Sequence, residues 1–149
     1  MKKLQANIDY FMEYQMIAIV SHLKDYTLCY HINHTLDLDL IKYDDLVALS
    51  GSDGETSFSW YYFKDEINGT VYYLLGNKCE AGNLLHSQKS VDYFLLVKNP
   101  VVDELLKSII WKLRKVSNIS AAFEINMQQQ KNMDALLESI ELHELEFVK

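Results

Sequence analysis

Residues 90–98 read Ser-Val-Asp-Tyr-Phe-Leu-Leu-Val-Lys, and this stretch decides the fold. Successive side chains of an extended segment point to opposite faces. One face of this stretch is apolar or aromatic throughout, and the other is apolar in its middle with Asp92 and Lys98 at its ends. A strand of this kind is covered on both sides at its centre. We therefore predict that it is an interior strand of a sheet.

The residues that follow predict a helix. Asn99-Pro100 resembles a cap followed by a first-turn proline, so we expect a helix over residues 100–116. Asn118 is predicted to end it in a left-handed conformation. The apolar residues of this segment keep to one stripe, which comprises Val102, Leu105, Leu106, Ile109, Ile110, Leu113 and Val116.

The first part of the chain has weaker signals. Residues 10–20 alternate as a strand, and Ser21 is predicted to cap a helix that reaches about residue 36. Strand-forming residues are frequent in that helix, so an extended conformation is the alternative. One side of the predicted helix comprises Leu23, Tyr26, Cys29, Tyr30 and Asn33.

The remaining elements follow from alternation and turn residues. Residues 38–47 include a short extended piece, 50–55 form a loop, and 57–64 and 70–75 are strands. Asn68-Gly69 predicts a type I′ hairpin turn between those two strands. Residues 119–125 alternate as another strand, and a last amphipathic helix has an apolar stripe of Met133, Leu136, Leu137 and Ile140, with Phe147 as a further candidate.

This order of elements indicates an α+β fold. We expect a mainly antiparallel sheet of about five to six strands, with two or three helices packed largely on one face. A chain of 149 residues fits a single globular domain over residues 1–149.

Composition narrows the classes of partner. The formal charge of −7 opposes broad contact with nucleic acid or with an anionic membrane. No aliphatic run approaches the ~20 residues of a membrane span, and residues 1–3 do not lead into an apolar signal core. Two cysteines without a pairing motif are typical of a reducing compartment. We therefore expect a cytoplasmic protein that binds neither membrane nor nucleic acid.

Several short motifs resemble those of the IPExxxVDY family, an uncharacterised bacterial family. Its name describes Ile-Pro-Glu followed after three residues by Val-Asp-Tyr, and this chain has Val91-Asp92-Tyr93. Leu85-His86-Ser87 stands where the family has Ile-Pro-Glu. The resemblance implies a bacterial cytoplasmic role but no particular activity. Further motifs agree in order, namely Ser21 with Asp25-Tyr26, Leu28-Cys29-Tyr30 and Asn33, Asn77-Lys78 with Gly82, and Ala122-Phe123-Glu124-Ile125.

Trp111 is the most informative candidate for function. It lies opposite the apolar stripe of its helix, on the same side as Glu104, Lys107 and Lys115. A large aromatic residue beside cations is typical of a protein interface. The alternative is that another element, such as the last helix, covers it. The sequence therefore favours a non-enzymatic protein-binding or assembly module, with a homodimer as one possible form.

A small-ligand pocket or an enzyme is the second hypothesis. Its pocket would lie near Asp92, with Lys78 and His86 as further polar groups. In the simpler interpretation, Asp92 accepts hydrogen bonds from loop amides. No glycine-rich phosphate loop or nucleophile elbow occurs, so we expect no cofactor.

Three other groups have structural explanations that we favour. The aromatic hairpin residues Trp60, Tyr61, Tyr62, Tyr72 and Tyr73 resemble a base-stacking platform, but aromatic residues are also good strand formers. His31 and His34 lie one helical turn apart without further ligands, so we expect surface histidines and no metal. Cys29 and Cys79 are expected to be buried as small apolar residues.

Overall fold

The computed structural model describes residues 11–49, 55–79 and 82–148. In chain order, the elements are β1 (Tyr14–Ser21), α1 (Asp25–Leu36), β2 (Ile41–Leu49), β3 (Glu55–Lys64), β4 (Val71–Gly76), β5 (Lys78–Cys79), β6 (Gly82–Asn83), β7 (Tyr93–Lys98), α2 (Asp103–Arg114), β8 (Ile119–Ile125) and α3 (Met133–Phe147), with a 3-10 turn at Met127–Gln129. Six of these strands form one antiparallel sheet in the order β2-β3-β4-β7-β1-β8, and β5 and β6 form a separate small hairpin. The predicted α+β class is confirmed.

β7 lies in the interior of the sheet, between β1 and β4, as its sequence predicts. Residues 94–97 are fully buried and alternate between two hydrophobic cores. Phe94 and Leu96 belong to the core under α3, whereas Leu95 and Val97 belong to the core under α1 and α2. Helices therefore cover both faces of the sheet, two on one side and one on the other.

The segment between β7 and α2 differs from the prediction. Asn99 adopts a left-handed conformation with φ 61°, and its N–H donates to the Glu13 carbonyl. Val102 is the N-cap, so α2 begins after Pro100 and not at it. The Gln15 side chain bonds both the N–H and the carbonyl of Val101, which fixes this connection to β1. Asn118 has φ 73°, which confirms the predicted left-handed residue after the helix.

α1 also differs from the prediction at its start and on its buried face. Ser21 belongs to β1, and its hydroxyl donates to the Asn118 carbonyl instead of capping the helix. Leu28, Cys29 and Ile32 face the core and Leu23 packs against it, while Tyr26 and Tyr30 are exposed, so the predicted side is wrong for the two tyrosines. The rotation of the helix is set by tertiary hydrogen bonds, since the Asn33 amide both donates to and accepts from the Leu40 backbone, and Asp25 accepts from Tyr61 and Lys42.

The hairpin between β3 and β4 is present, but its turn is not type I′. Gly69 has φ 75°, whereas Asn68 does not have the positive φ that a type I′ turn requires. The Asp65 carboxylate accepts from the N–H groups of Ile67 and Asn68, which wraps the chain into a longer turn. The predicted loop at residues 50–55 lies outside the described residues except for Glu55, which belongs to β3, and the predicted strand start at residue 10 also lies outside them.

α3 packs on the sheet through its predicted stripe and through carboxylates. Met133, Leu136, Leu137 and Ile140 are buried against β-strand residues, and Phe147 is half-buried. The Tyr73 and Tyr62 hydroxyls donate to the two oxygens of Glu144 at 2.6 and 3.0 Å. Trp60, Tyr61, Tyr62, Tyr72 and Tyr73 are all buried, so the hairpin aromatics are core residues and not a base-stacking platform.

Asn77 ties the connection between β4 and β7 together. Its side chain is fully buried, donates to the carbonyls of Gln88 and Val91, and accepts from the Leu85 N–H. Its own backbone N–H donates to the Asp92 carbonyl at 2.9 Å. One amide therefore satisfies three backbone groups and holds residues 84–91 against the end of the sheet.

Replacing Asn77 with alanine should lower the free energy of unfolding by about 2–3 kcal/mol, because the buried Val91 carbonyl and Leu85 N–H lose their side-chain partner. Urea denaturation followed by circular dichroism measures this change. Asn83→Ala is the matched control, since the Asn83 side chain makes none of these bonds, and it should cost less than about 1 kcal/mol. An Asn77 variant as stable as the control would contradict the assigned role.

The buried tyrosines predict a loss of stability at alkaline pH. Burial and the charge of Glu144 raise the pKa of Tyr73 and of Tyr62 well above the usual tyrosine value. A pKa that is raised in the folded state contributes stability that is fully present below the unfolded value of about 10 and is lost as the pH rises above it. The free energy of unfolding of the wild type should therefore fall between pH about 10 and about 12. That of the Tyr73→Phe variant should fall less steeply over the same range. An unchanged slope in this variant would count against the assignment.

Candidate functional site

Trp111 lies on the solvent side of α2. Leu106, Ile109 and Leu113 form the buried side of this helix, and Trp111 projects from the opposite half with 59% of its surface exposed. No other element in the described part of the chain covers its ring. The alternative that α3 covers Trp111 is excluded, because α3 packs on the other face of the sheet.

Cations surround the Trp111 ring. The Lys115 ammonium lies 4.9 Å from the ring centroid, a distance at which a cation–π attraction holds both side chains. Lys107, Lys112 and Glu104 are exposed on the same half of the helix. We call the group Glu104, Lys107, Trp111, Lys112 and Lys115 the Trp111 surface. The structure thus brings together the three residues that the sequence singled out, Lys107, Trp111 and Lys115.

α3 has an exposed apolar pair that the sequence analysis does not identify. Leu142 and Leu145 lie off the buried stripe and are 58% and 76% exposed. Their neighbours on the outer half of the helix, Asp134, Glu138 and Glu146, are also exposed. We call these five residues the Leu142 surface. The signal that could reveal it is the spacing of the two leucines, which places them opposite Met133, Leu137 and Ile140 at 100° per residue.

Asp92 directly precedes β7, and its carboxylate contacts the last residue of β1 and the first residue of β5. One carboxylate oxygen accepts from the Ser21 N–H at 2.8 Å, and the other pairs with the Lys78 ammonium at 2.8 Å. Its side chain keeps 20% of its surface exposed. The carboxylate therefore connects the end of β1 to β5, which agrees with the interpretation that it accepts from a backbone amide.

An open polar pocket of about 480 Å³ adjoins this pair. Ser59 contributes to its wall, and its hydroxyl lies so close to Gly76 that an added Cβ there would come within 2.7 Å of the oxygen. Tyr93 lies on the same wall, where its hydroxyl donates to the Leu23 carbonyl at 2.7 Å. Burial and the nearby carboxylates raise the pKa of Tyr93 to about 12, so this phenol is no general base at neutral pH.

His86 does not join Asp92 and Lys78. It lines a different cavity of about 450 Å³ between residues 84–87 and the start of α3, together with Lys131 and Ser139. The structure therefore brings together only two of the three predicted pocket residues, Asp92 and Lys78, and these two form an ion pair with each other. The neighbouring Leu85 is buried, while His86 and Ser87 are exposed.

His34 is exposed as expected and His31 is half-buried, and the prediction of a buried cysteine is correct for Cys29 but not for Cys79. His34 stacks on the exposed Tyr30 ring, and His31 meets the same ring edge-on. Within residues 11–49, 55–79 and 82–148, no three His, Cys, Asp or Glu residues are placed to hold a metal ion. Cys29 is buried, which raises the pKa of its thiol to about 11, and Cys79 is half-buried.

The helices also bear on the membrane prediction. None of the three helices in the described ranges combines the length and the hydrophobicity needed to cross a bilayer.

Substitutions at Asp92 and Lys78 should distinguish how much the hydrogen bond to the Ser21 N–H and the ion pair each contribute to stability. Asp92→Ala should cost about 1–3 kcal/mol, because the buried Ser21 N–H loses its acceptor. Asp92→Asn keeps an acceptor, and Lys78→Ala removes only a partly exposed ion pair, so each should cost about 1 kcal/mol or less. Chemical denaturation of the three variants measures the loss of unfolding free energy in each and so their order. If Lys78→Ala proves as costly as Asp92→Ala, the ion pair and not the amide bond is the main contribution.

No protein-family model matches this chain, and no curated protein matches it either. The resemblance to the IPExxxVDY family therefore stays a prediction from short motifs. A proposal for function depends on the geometry of the Trp111 surface and of the Asp92 pocket.

Proposed function

We propose that this protein is a non-enzymatic binding module that contacts another protein through the Trp111 surface. The observation that carries the proposal is the position of Trp111, exposed in the last turn of α2 and held by Lys115. Tryptophan is enriched among the residues that contribute most to protein interfaces. An exposed tryptophan gains the most from a partner, because burying its ring removes a large apolar area from water.

The cation–π contact prepares the ring for binding. A side chain that is already held in one orientation loses less conformational entropy when a partner covers it. Lys115 also keeps a positive charge directly beside the apolar ring. The arrangement therefore combines an apolar anchor with a charged rim, which is the general anatomy of a protein interface.

The charge of this surface restricts the partner. The Trp111 surface has three lysines and one glutamate, Glu104, so its net charge is positive. The whole chain has a formal charge of −7, so this basic region differs in sign from the rest of the protein. Complementary potentials increase the rate of encounter and exclude partners of like charge. The Trp111 surface is therefore suited to a partner with an acidic rim around an apolar group.

Trp111→Ala should leave the fold intact and reduce partner recovery at least tenfold, because the apolar anchor is lost. The measurement is quantitative affinity purification of the tagged protein at native expression, comparing wild type with the variant. Any partner recovered is then purified, and its dissociation constant for wild type and variant is measured by titration.

Tyr30→Ala is the matched control. Tyr30 is an exposed aromatic residue on α1, on the same side of the sheet but outside the Trp111 surface. This variant should recover the partner as wild type does. Equal recovery by wild type and Trp111→Ala, with unchanged far-ultraviolet circular dichroism, would refute the proposed function.

A further inference from the structure

We infer that the Trp111 surface binds the Leu142 surface of a second copy of this chain, so that the protein associates head to tail. This inference rests on the proposed function and names the partner. It also explains why the same chain exposes two apolar groups on two helices. Neither surface is covered within the described part of the chain.

The two surfaces are complementary in their apolar centres. Trp111 forms the apolar part of one surface, and Leu142 and Leu145 form that of the other. Leucine side chains adjacent on a helix offer a shallow apolar groove that a flat indole ring can cover. Exposed apolar residues of this size, rimmed by polar residues, are typical of interaction sites.

The charges around these centres are opposite. α3 carries four glutamates and one aspartate and neither lysine nor arginine. Asp134, Glu138 and Glu146 are exposed around the leucines, whereas Lys107, Lys112 and Lys115 are exposed around Trp111. A copy that turned its own Trp111 surface toward another Trp111 surface would bring like charges together. Charge therefore favours the unlike pairing over a symmetric one.

The fold places the two surfaces on opposite sides of the molecule. α2 packs on the face of the sheet that carries Leu95 and Val97, and α3 packs on the face that carries Phe94 and Leu96. A contact between unlike surfaces is heterologous, and it leaves one free copy of each surface at the two ends of a dimer. Association by this contact therefore continues beyond two chains unless it closes into a ring.

The size of the contact predicts weak association. α2 has 12 residues and α3 has 15, so only the outer halves of two short helices meet. Such a contact buries less than the roughly 1,200 Å² of a stable interface. Association should therefore depend on concentration, and added salt should weaken it because charge contributes to it.

Sedimentation velocity of the whole chain tests this inference. For wild type, the weight-average sedimentation coefficient should rise from about 10 µM to about 1 mM protein and should fall again in high salt. Trp111→Ala, and separately the double variant Leu142→Ala/Leu145→Ala, should each raise the apparent dissociation constant at least tenfold. Tyr30→Ala and Ile67→Ala, which change exposed residues outside both surfaces, should sediment as wild type does.

Mixing the two impaired variants gives the decisive result. The Trp111 variant keeps an intact Leu142 surface, and the double leucine variant keeps an intact Trp111 surface. An equimolar mixture should therefore form a heterodimer that grows no further, although each variant alone is monomeric. A symmetric dimer through either surface would not be restored by mixing, and that result would overturn the inference.

The outcomes also separate this inference from the proposed function. A wild-type chain that stays monomeric to about 1 mM overturns head-to-tail association. If Trp111→Ala still abolishes recovery of a different protein, the proposed function stands without it. If Trp111→Ala changes neither sedimentation nor partner recovery, both are overturned.

Discussion

Burial of β7 on both of its faces is the constraint on which the rest of the structure depends. Phe94 and Leu96 point to one side of the sheet and Leu95 and Val97 to the other, and all four are fully buried. Each such side chain contributes about 1.5–3 kcal/mol when it leaves water, so exposing either face would cost several kcal/mol. A single layer of helices would bury the side chains on only one face of this strand. The chain therefore needs helices on both sides, and it has three with which to cover two faces.

The packing of helices on both faces of the sheet determines which helix residues stay exposed. A helix that lies on a sheet buries one stripe and leaves its outer half to solvent. α2 buries Leu106, Ile109 and Leu113, and α3 buries Leu136, Leu137 and Ile140, so the outer halves of both are free. Trp111 and Leu142 lie on those outer halves, where neither contributes to the two cores. In the described part of the chain no other element covers either side chain, and the proposed intermolecular role depends on that exposure.

The parts of the fold that could be predicted are those that strong local periodicity determines. The interior position of β7, the stripe of α3 and the left-handed Asn118 all follow from patterns within a few residues. The parts that could not be predicted depend on hydrogen bonds between distant segments. The start of α2 is displaced because Gln15 holds Val101, and α1 is rotated because Asn33 is bonded to Leu40. The Asp65 carboxylate likewise replaces a type I′ turn with a longer one, a competition that residue pairs such as Asn68-Gly69 do not reveal.

The residues of the candidate site also differ in how far local periodicity predicts them. Trp111 could be located because a helical pattern determines which residue lies opposite a buried stripe. The spacing of Leu142 and Leu145 opposite the buried stripe of α3 also indicates the Leu142 surface, but only the packed structure defines how wide an arc of α3 the sheet covers. Its position relative to Trp111 depends on topology, because α2 and α3 reach opposite faces of one sheet. A rigid layer of strands then separates the two surfaces, so that no rearrangement within one folded chain can join them. Any contact between them requires a second molecule, and opposite charges make that contact favourable.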